Sequence, residues 1–254
     1  MSDLVLKETI ERGIVAVTLN RPDRRNALSV DLLERLCSTI DELSSDPSLR
    51  VAIMRGAGTV FSAGLDLHEA ADTSLIDRSA AAISRVLDRL RTSPVVMIAA
   101  VQGGAFAGGA GLMAACDIVI AATDAKIGFP EVRRGLLPAL ISDVLRYKVR
   151  EGDLRELFLA GETIDAIRAR EIGLVQRVVP ADQLFNEAVS IARSVARGGP
   201  QTIRQTKTLL NGMFQPAADQ SGPDLVETHL TARHSAEARE GLAAFAEKRE
   251  PKWS

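Results

Sequence analysis

The chain has 254 residues, of which 46% are hydrophobic and 25% are charged, and its formal net charge is −2. This size and composition predict a globular protein with a substantial core, either one large domain or one domain with an appendage. Because the near-neutral charge leaves no broad basic field, the composition argues against nucleic-acid binding and against attachment to a membrane surface.

The first half of the chain alternates predicted strands and helices. β-branched residues predict a strand at 13–20, and the turn-forming residues RPDRRNALS follow it. Ser29 is a suitable N-cap for a helix that ends near Ser44, because apolar side chains recur there at helical spacing. Further strands are predicted at 50–56, 95–101 and 118–123, and further helices at 80–93 and 111–116. This alternation is typical of an α/β protein.

The chain from about residue 138 onward is predominantly helical in pattern. Helices are predicted at 137–149, 150–161, 165–173, 181–198, 200–213 and, after the N-cap Ser235, at 236–250, with one strand at 174–180. No internal repeat indicates a solenoid. We therefore expect an α/β core at 1–195 and a helical region at 196–254 that packs on this core or on a neighbouring subunit.

The segment from Val95 to Cys116 contains 22 residues without a charge, which is long enough to span a bilayer. Its five glycines and the polar Gln102 make a span a poor interpretation. A buried strand, a glycine loop and the start of a helix account for it better. The N-terminal residues show no basic segment followed by an apolar run, so no secretory signal is predicted.

Two loops rich in small residues, Arg55–Asp66 and Gln102–Gly109, each follow a predicted strand. If they lie side by side, each can present one backbone N–H to a shared point and form an oxyanion hole. A helix that begins near Gly109 would add its positive end. Two other interpretations stand beside this one. The glycines can serve only close packing of a helix on a strand, or Gly109, Gly111 and Ala114 can belong to a dinucleotide fingerprint, although no predicted strand ends at Gly109.

Several motifs, taken in order, resemble the enoyl-CoA hydratase/isomerase (crotonase) superfamily. They are VTLNRPDRRNALS, VFSAGLDL, VQGGAFAGGAGLMAACDIVIAA, IGFPEVRRGLLP and FAEKREPKW. The resemblance covers the chain from near residue 13 to its end. It implies a spiral of ββα repeats followed by a helical trimerisation region, an acyl-CoA substrate and a thioester enolate intermediate. It implies no separate cofactor, because coenzyme A enters as part of the substrate.

The resemblance also assigns roles to individual residues. The oxyanion donors fall on the backbone N–H groups of Leu65 and Gly108, with Ala63 and Gly64 beside the first of them. Other positions that resemble coenzyme A or substrate contacts are Arg25, Ala27, Asp66, Phe245 and Lys248. Asp66 and His68 follow the first loop, where contact with substrate or water competes with an interpretation as helix-capping residues. The trimerisation region implies a homotrimer or a dimer of trimers.

Glu131 is the candidate catalytic carboxylate. Its neighbours Phe129, Pro130 and Val132 predict a desolvated side chain with a raised pKa, which suits a base near neutral pH. Hydratases of the superfamily have another glutamate just after the glycine loop, and here that position is Gly111. One carboxylate can move a proton between two carbons, so an isomerase fits. The motifs AGGAGLMAACD and LLPALIS resemble hydratases of branched unsaturated acyl-CoAs, which favours a hydratase narrowly.

Three further expectations complete the sequence-based prediction. A family member that binds acyl-CoA without turnover remains an alternative because of Gly111. No metal site is predicted, since His229 and His234 are five residues apart and do not share a helix face. Cys37 and Cys116 lack metal or redox spacing, so both are expected to be buried thiols in a cytoplasmic protein.

Overall fold

The computed structural model describes residues 3–70, 72–214 and 224–253. The strands are β1 (Val5–Glu11), β2 (Ile14–Leu19), β3 (Val51–Gly56), β4 (Val96–Val101), β5 (Gly104–Phe106), β6 (Ile118–Ala122), β7 (Lys126–Gly128), β8 (Thr163–Asp165) and β9 (Arg177–Val179). The helices are α1 (Val30–Ser45), α2 (Leu67–Ala70), α3 (Ile76–Thr92), α4 (Gly108–Ala115), α5 (Ala139–Leu145), α6 (Glu151–Ala160), α7 (Ala166–Glu171), α8 (Leu184–Ala196), α9 (Pro200–Met213), α10 (Leu225–Arg233) and α11 (Ala236–Ala246).

The larger sheet has six strands in the order β1-β2-β3-β4-β6-β9. Only β1 runs antiparallel to its neighbour, and the other pairs are parallel. Parallel strands covered on both faces need continuous apolar residues, which is why β2, β3, β4 and β6 were visible in the sequence. Helix α8 packs on β3 and β4, and α1 packs on α3.

A smaller sheet has the order β5-β7-β8. Each of its first two strands follows a strand of the larger sheet and precedes a helix, as in β4-β5-α4 and β6-β7-α5. A single parallel bridge between Ser62 and Ala105 places the chain that follows β3 beside β5 of the small sheet. The predicted ββα repeats are therefore present, and their second strands, β5 and β7, pair in the small sheet.

Most predicted elements are present, but several ends differ. The helix predicted at 80–93 begins at Ile76, the one predicted at 137–149 covers only Ala139–Leu145, and the one predicted at 236–250 ends at Ala246. Strands β1, β5, β7 and β8 and helices α2 and α10 were not predicted. The last three of those strands have three residues each, too few to show a period of two.

The environments of the cysteines differ from each other. Cys116 is buried, as expected, but Cys37 is only half-buried, so the prediction for Cys37 was wrong. Cys37 lies on α1 between residues that face the core and residues that face solvent. Within the described ranges, none of the helices combines the length and apolarity needed to cross a bilayer. The uncharged segment Val95–Cys116 instead forms β4, β5 and α4.

The C-terminal helices contact the core at separate places. Helix α9 is fixed by Lys207, whose Nζ donates to the carbonyls of Leu90 and Val95 and to the Asp117 carboxylate at 2.7 Å. Helix α10 packs on α3 and α5, while α11 packs on the 3-10 turn Val132–Arg134. Helices α10 and α11 thus cover the region around residue 131.

Candidate active site

Hydrogen bonds join three loops beside the small sheet. The Leu28 N–H donates to the Gly64 carbonyl at 2.8 Å, and the Ala63 N–H donates to the Arg25 carbonyl at 2.9 Å. The Phe106 N–H donates to the Ser62 carbonyl at 3.0 Å. The two small-residue loops predicted to lie side by side therefore do so, and the loop that contains Arg25 and Ala27 lies against them.

This contact leaves no room for a side chain at two of the glycines. A Cβ on Gly64, which has a φ of +84°, would lie 2.5 Å from the Phe106 carbonyl oxygen. A Cβ on Gly109 would lie 2.7 Å from Cβ of Ser62. The glycines permit a backbone approach that larger residues would prevent.

The backbone N–H groups of Leu65 and Gly108 are candidates for binding a ligand oxygen. In the described part of the chain, neither donates a hydrogen bond to another protein group, and both residues line one pocket with Glu131. Gly108 is the first residue of α4, where a helix has unsatisfied N–H groups. Ala107 precedes it with φ +49° and ψ −124°, a conformation that is strained for a residue with a Cβ.

Glu131 lies between β7 and the turn Val132–Arg134, at the wall of this pocket. Glu131 is 7% exposed, and in the described part of the chain its buried Oε2 has no hydrogen-bond partner. Burial raises the pKa of Glu131 to about 7, and its own backbone N–H and the Arg134 guanidinium only partly oppose this rise. The side chain is thus a buried carboxyl that can gain or lose a proton near neutral pH, and not a surface charge.

Gly111 faces the same region from α4. A Cβ at this position would lie 2.4 Å from Cγ2 of Ile141 on α5. The side chain of Ile141 therefore fills the space that a residue other than glycine would need. Glu131 is the only carboxylate among the described residues that line the pocket.

The rest of this pocket, which we call the acyl pocket after the role that the family resemblance implies for it, has a mostly apolar wall. Leu67 of α2, Ile83 of α3, and Leu140 and Ile141 of α5 contribute to this wall. His229 on α10 also lines it and was not predicted. The sequence around His229 shows no motif and no clear helical periodicity, so only the tertiary contact of α10 with α3 and α5 identifies it.

An open cleft of about 560 Å³, within the size range of small-molecule sites, shares Leu65, Leu67 and Arg134 with the acyl pocket. It brings together most of the predicted substrate-binding residues: Arg25, Ala27, Ala63, Asp66 and Phe245. Gly64 lies in the loop between Ala63 and Leu65. Lys248 is exposed after α11 and does not line this cleft. The Arg134 guanidinium lies 4.4 Å from the centre of the Phe245 ring and lines both the cleft and the acyl pocket.

Asp66 is part of a structural network. Its carboxylate accepts from Arg21 at 2.9 Å and from the His68 N–H at 3.1 Å. Burial opposes ionisation, but these two hydrogen bonds outweigh it and hold the pKa of Asp66 below its usual value. Asp66 thus stabilises the start of α2, as its helix-capping interpretation predicted, while it lines the cleft.

Asn26 is a structural residue of the site that the sequence analysis missed. It is buried with a φ of +52°, and its amide donates to the carbonyls of Ala57 and Val60. Asparagine tolerates this left-handed conformation better than most residues, which is the one local signal in RRNAL that could have identified it. The side chain fixes the loop of Arg25 against the loop that leads to Leu65.

Comparisons with known proteins agree with this geometry. The family model for enoyl-CoA hydratase/isomerase matches residues 9–254. A Thermus thermophilus protein whose name places it among the enoyl-CoA hydratases is 35% identical over 96% of this chain and 99% of its own length.

Solved structures share the fold. An enoyl-CoA hydratase from Mycobacterium avium superposes with a TM-score of 0.88 and 34% identity over 100% of both chains. A monofunctional enoyl-CoA isomerase from Mycobacterium smegmatis gives a TM-score of 0.73 and 32% identity over 85% of this chain and 96% of its own. The chain therefore belongs to the enoyl-CoA hydratase/isomerase family and has the crotonase fold.

Proposed function

We propose that this protein is an enoyl-CoA hydratase that adds water to a 2-enoyl-CoA thioester, with Glu131 as the acid and base. The observation that carries the proposal is the position of Glu131. Among the described residues, neither its buried Oε2 nor the two backbone N–H groups at the same pocket has a hydrogen-bond partner. Buried polar groups without partners are typical of a site that a ligand completes.

The N–H groups of Leu65 and Gly108 donate hydrogen bonds to the thioester carbonyl oxygen of the substrate. They polarise the carbonyl and stabilise the negative charge that develops on this oxygen in the enolate. The start of α4 adds the positive end of its peptide dipoles at Gly108. This stabilisation makes C3 of the 2-enoyl thioester electrophilic and makes the C2 protons of the hydrated product acidic.

Glu131 then moves both protons of the reaction. Its carboxylate takes a proton from a water molecule while the water oxygen forms a bond to C3, and the double-bond electrons move to the thioester oxygen. The resulting carboxylic acid donates its proton to C2 as the enolate collapses. A pKa near 7 suits both roles, because neither protonation state of Glu131 is strongly favoured at neutral pH.

The cleft at Arg25, Ala27, Ala63, Asp66 and Phe245 holds the coenzyme A part of the substrate. It adjoins the acyl pocket through Leu65 and Arg134, which line both spaces. A thioester bound across this boundary has its carbonyl beside Leu65. No cofactor other than the coenzyme A of the substrate takes part.

An isomerase that converts a 3-enoyl-CoA into a 2-enoyl-CoA is the second candidate. The observation in its favour is Gly111, because Ile141 fills the position where a further carboxylate would help to hold water. A single carboxylate is sufficient to carry a proton from C2 to C4. The similarity to a named isomerase supports this alternative as well.

The test is a panel of 2-enoyl-CoA and 3-enoyl-CoA thioesters analysed by mass spectrometry. Hydration adds the mass of one water, whereas isomerisation leaves the mass unchanged and moves the double bond. We expect Glu131→Gln to lower kcat by about 10²–10⁴-fold. The exposed Glu171→Gln on α7 is the matched control and keeps wild-type activity. Equal activity of Glu131→Gln and the wild type would refute the assignment, and binding without turnover would favour a non-catalytic family member.

We further propose that the chain assembles as a homotrimer or a dimer of trimers. Helix α9 supports this, because its residues Leu209, Leu210 and Met213 are large, apolar and exposed. Light scattering of the purified protein measures the mass directly. A monomer at micromolar concentration would contradict the proposal.

A further inference from the structure

Helix α10 carries two polar residues on one face, of which His229 lines the acyl pocket and Arg233 does not. His229 and Arg233 are separated by four residues, so they lie one above the other along the helix. His229 lines the acyl pocket beside Leu67, the first residue of α2. Arg233 reaches the last residue of the same short helix, where its Nη2 donates to the Ala70 carbonyl at 3.0 Å. Arg233 therefore lies one helical turn behind the pocket wall.

Arg233 has no counter-charge among the described residues. The residue is 3% exposed, and its Nε and Nη1 are buried without hydrogen-bond partners. Burial lowers the pKa of Arg233, and no acidic group opposes this effect. A buried guanidinium with a single carbonyl partner is costly, because its lost hydration is not replaced. An anion at this position would supply what is missing.

His229 is the ionisable residue of α10 that lines the pocket wall. Burial and the positive charge of Arg233 lower the pKa of His229 to about 4, so the imidazole is neutral at neutral pH. A neutral imidazole can border an apolar acyl chain without a further charge. It can also take up a proton when an anion arrives beside it. Arg233, one turn behind His229, supplies a positive charge that a negative end group would neutralise and a methyl group would not.

We propose that the acyl group of the substrate ends in a carboxylate that binds Arg233, with His229 beside it. The substrate class is then the coenzyme A monothioester of a short unsaturated dicarboxylic acid. This inference rests on the proposed function, because it takes the reacting end of the same acyl group to lie between Glu131 and Leu65. Guanidinium and carboxylate match in charge and in planar hydrogen-bond geometry, and an uncharged hydroxyl would leave the charge uncompensated.

The activity test compares thioesters of equal chain length that differ only at the far end. The pairs are pent-2-enoyl-CoA with pent-2-enedioyl-CoA, and hex-2-enoyl-CoA with hex-2-enedioyl-CoA. We expect the wild type to have a higher kcat/KM for the carboxylate member of at least one pair, by about 10²-fold. Arg233→Met keeps the length of the side chain and removes this preference, whereas Arg233→Lys retains part of it. Arg239→Met, at an exposed arginine of α11, is the matched control and keeps the preference.

A binding measurement separates this inference from the proposed function. Calorimetry with saturated adipyl-CoA and hexanoyl-CoA, which cannot be hydrated, measures the end-group preference without turnover. Tighter binding of adipyl-CoA to the wild type and not to Arg233→Met supports the carboxylate site even if no thioester is hydrated. Equal or tighter binding of hexanoyl-CoA, or an adipyl preference that Arg233→Met leaves unchanged, overturns it. Tighter binding of a thioester whose acyl chain ends in a hydroxyl group than of either adipyl-CoA or hexanoyl-CoA also overturns the inference. If Arg233→Met does not fold, the wild-type pair and Arg233→Lys still decide.

Discussion

The buried carboxyl of Glu131 gives a prediction about stability as well as activity. Glu131→Gln removes the ionisable group and keeps nearly the same shape. We expect this variant to lose activity and, relative to the wild type, to become more stable as the pH rises. The reason is that the wild type must hold an ionised carboxylate in a site where Oε2 has no hydrogen-bond partner.

The magnitude follows from the change of pKa on folding. Burial raises the pKa of Glu131 from 4.5 to about 7, so its protonated form is the one that favours the folded state. The corresponding stability is fully present below about pH 4.5 and is lost as the pH rises through about 7. Over this window the loss is about 3 kcal/mol. Glu131→Gln does not titrate, so its stability relative to the wild type should increase by up to this amount.

Urea unfolding at several pH values between about 5 and 8 measures this difference, because all other titrating groups are shared and cancel. Glu171→Gln, at an exposed carboxylate, is the control and should follow the wild type at every pH. A difference between Glu131→Gln and the wild type that stays constant with pH would show that the Glu131 carboxyl is not desolvated. The same raised pKa predicts that kcat/KM of the wild type falls as the pH drops below about 7, because hydration begins with the carboxylate form.

Three other substitutions test the packing around the site. Ala107→Gly should raise the free energy of unfolding by about 1 kcal/mol, because glycine accepts the φ of +49° without strain; an unchanged or lower value in urea unfolding contradicts this. Gly111→Glu should destabilise the protein by about 1–3 kcal/mol because its Cβ meets Ile141, and in a double-mutant cycle Ile141→Ala should recover part of that loss; simple additivity would refute the contact. Lys207→Met should cost about 2–4 kcal/mol, because Asp117 and two carbonyls lose a buried donor; a loss below about 0.5 kcal/mol in urea unfolding would show that the pair is not structural.

The sequence predicted the parts of the fold that obey a local rule. The strands of the large sheet are apolar runs because they are covered on both faces, and Ser29 caps α1 by accepting from the Leu32 N–H at 3.3 Å. The small sheet has no such local rule. Its strands form only because segments distant in sequence meet in space, where β5 pairs with β7 and β7 pairs with β8. Three residues of sequence carry too little pattern to show this.

The candidate site also contains features that the sequence predicted and features that it did not. The glycine loops were predictable, because a close approach of two backbones leaves a compositional trace at Gly64 and Gly109. Glu131 was predictable from its apolar neighbours once the family motif placed it. The acyl pocket was only partly predictable, since His229 and Arg233 lie on a helix far along the chain from the loops that they approach. Only the packing of α10 on α3 and α5 brings them to the site.

Gly111 shows why a missing catalytic side chain can be understood only with its packing partner. The sequence alone leaves open whether the position is a lost function or a different one, because glycine at a catalytic position is compatible with both. In the structure, Ile141 occupies the space beside Gly111, so no side chain can be restored there without a change at position 141. The absence of a side chain at Gly111 therefore leaves room for Ile141, which contributes an apolar side chain to the pocket that Glu131 also lines. A pocket with one carboxyl and an apolar wall favours a substrate whose own groups hold the water or proton in place. If the proposed hydration is correct, the preference among thioester substrates is expected to depend on the far end of the acyl group more than on a further acid near C3.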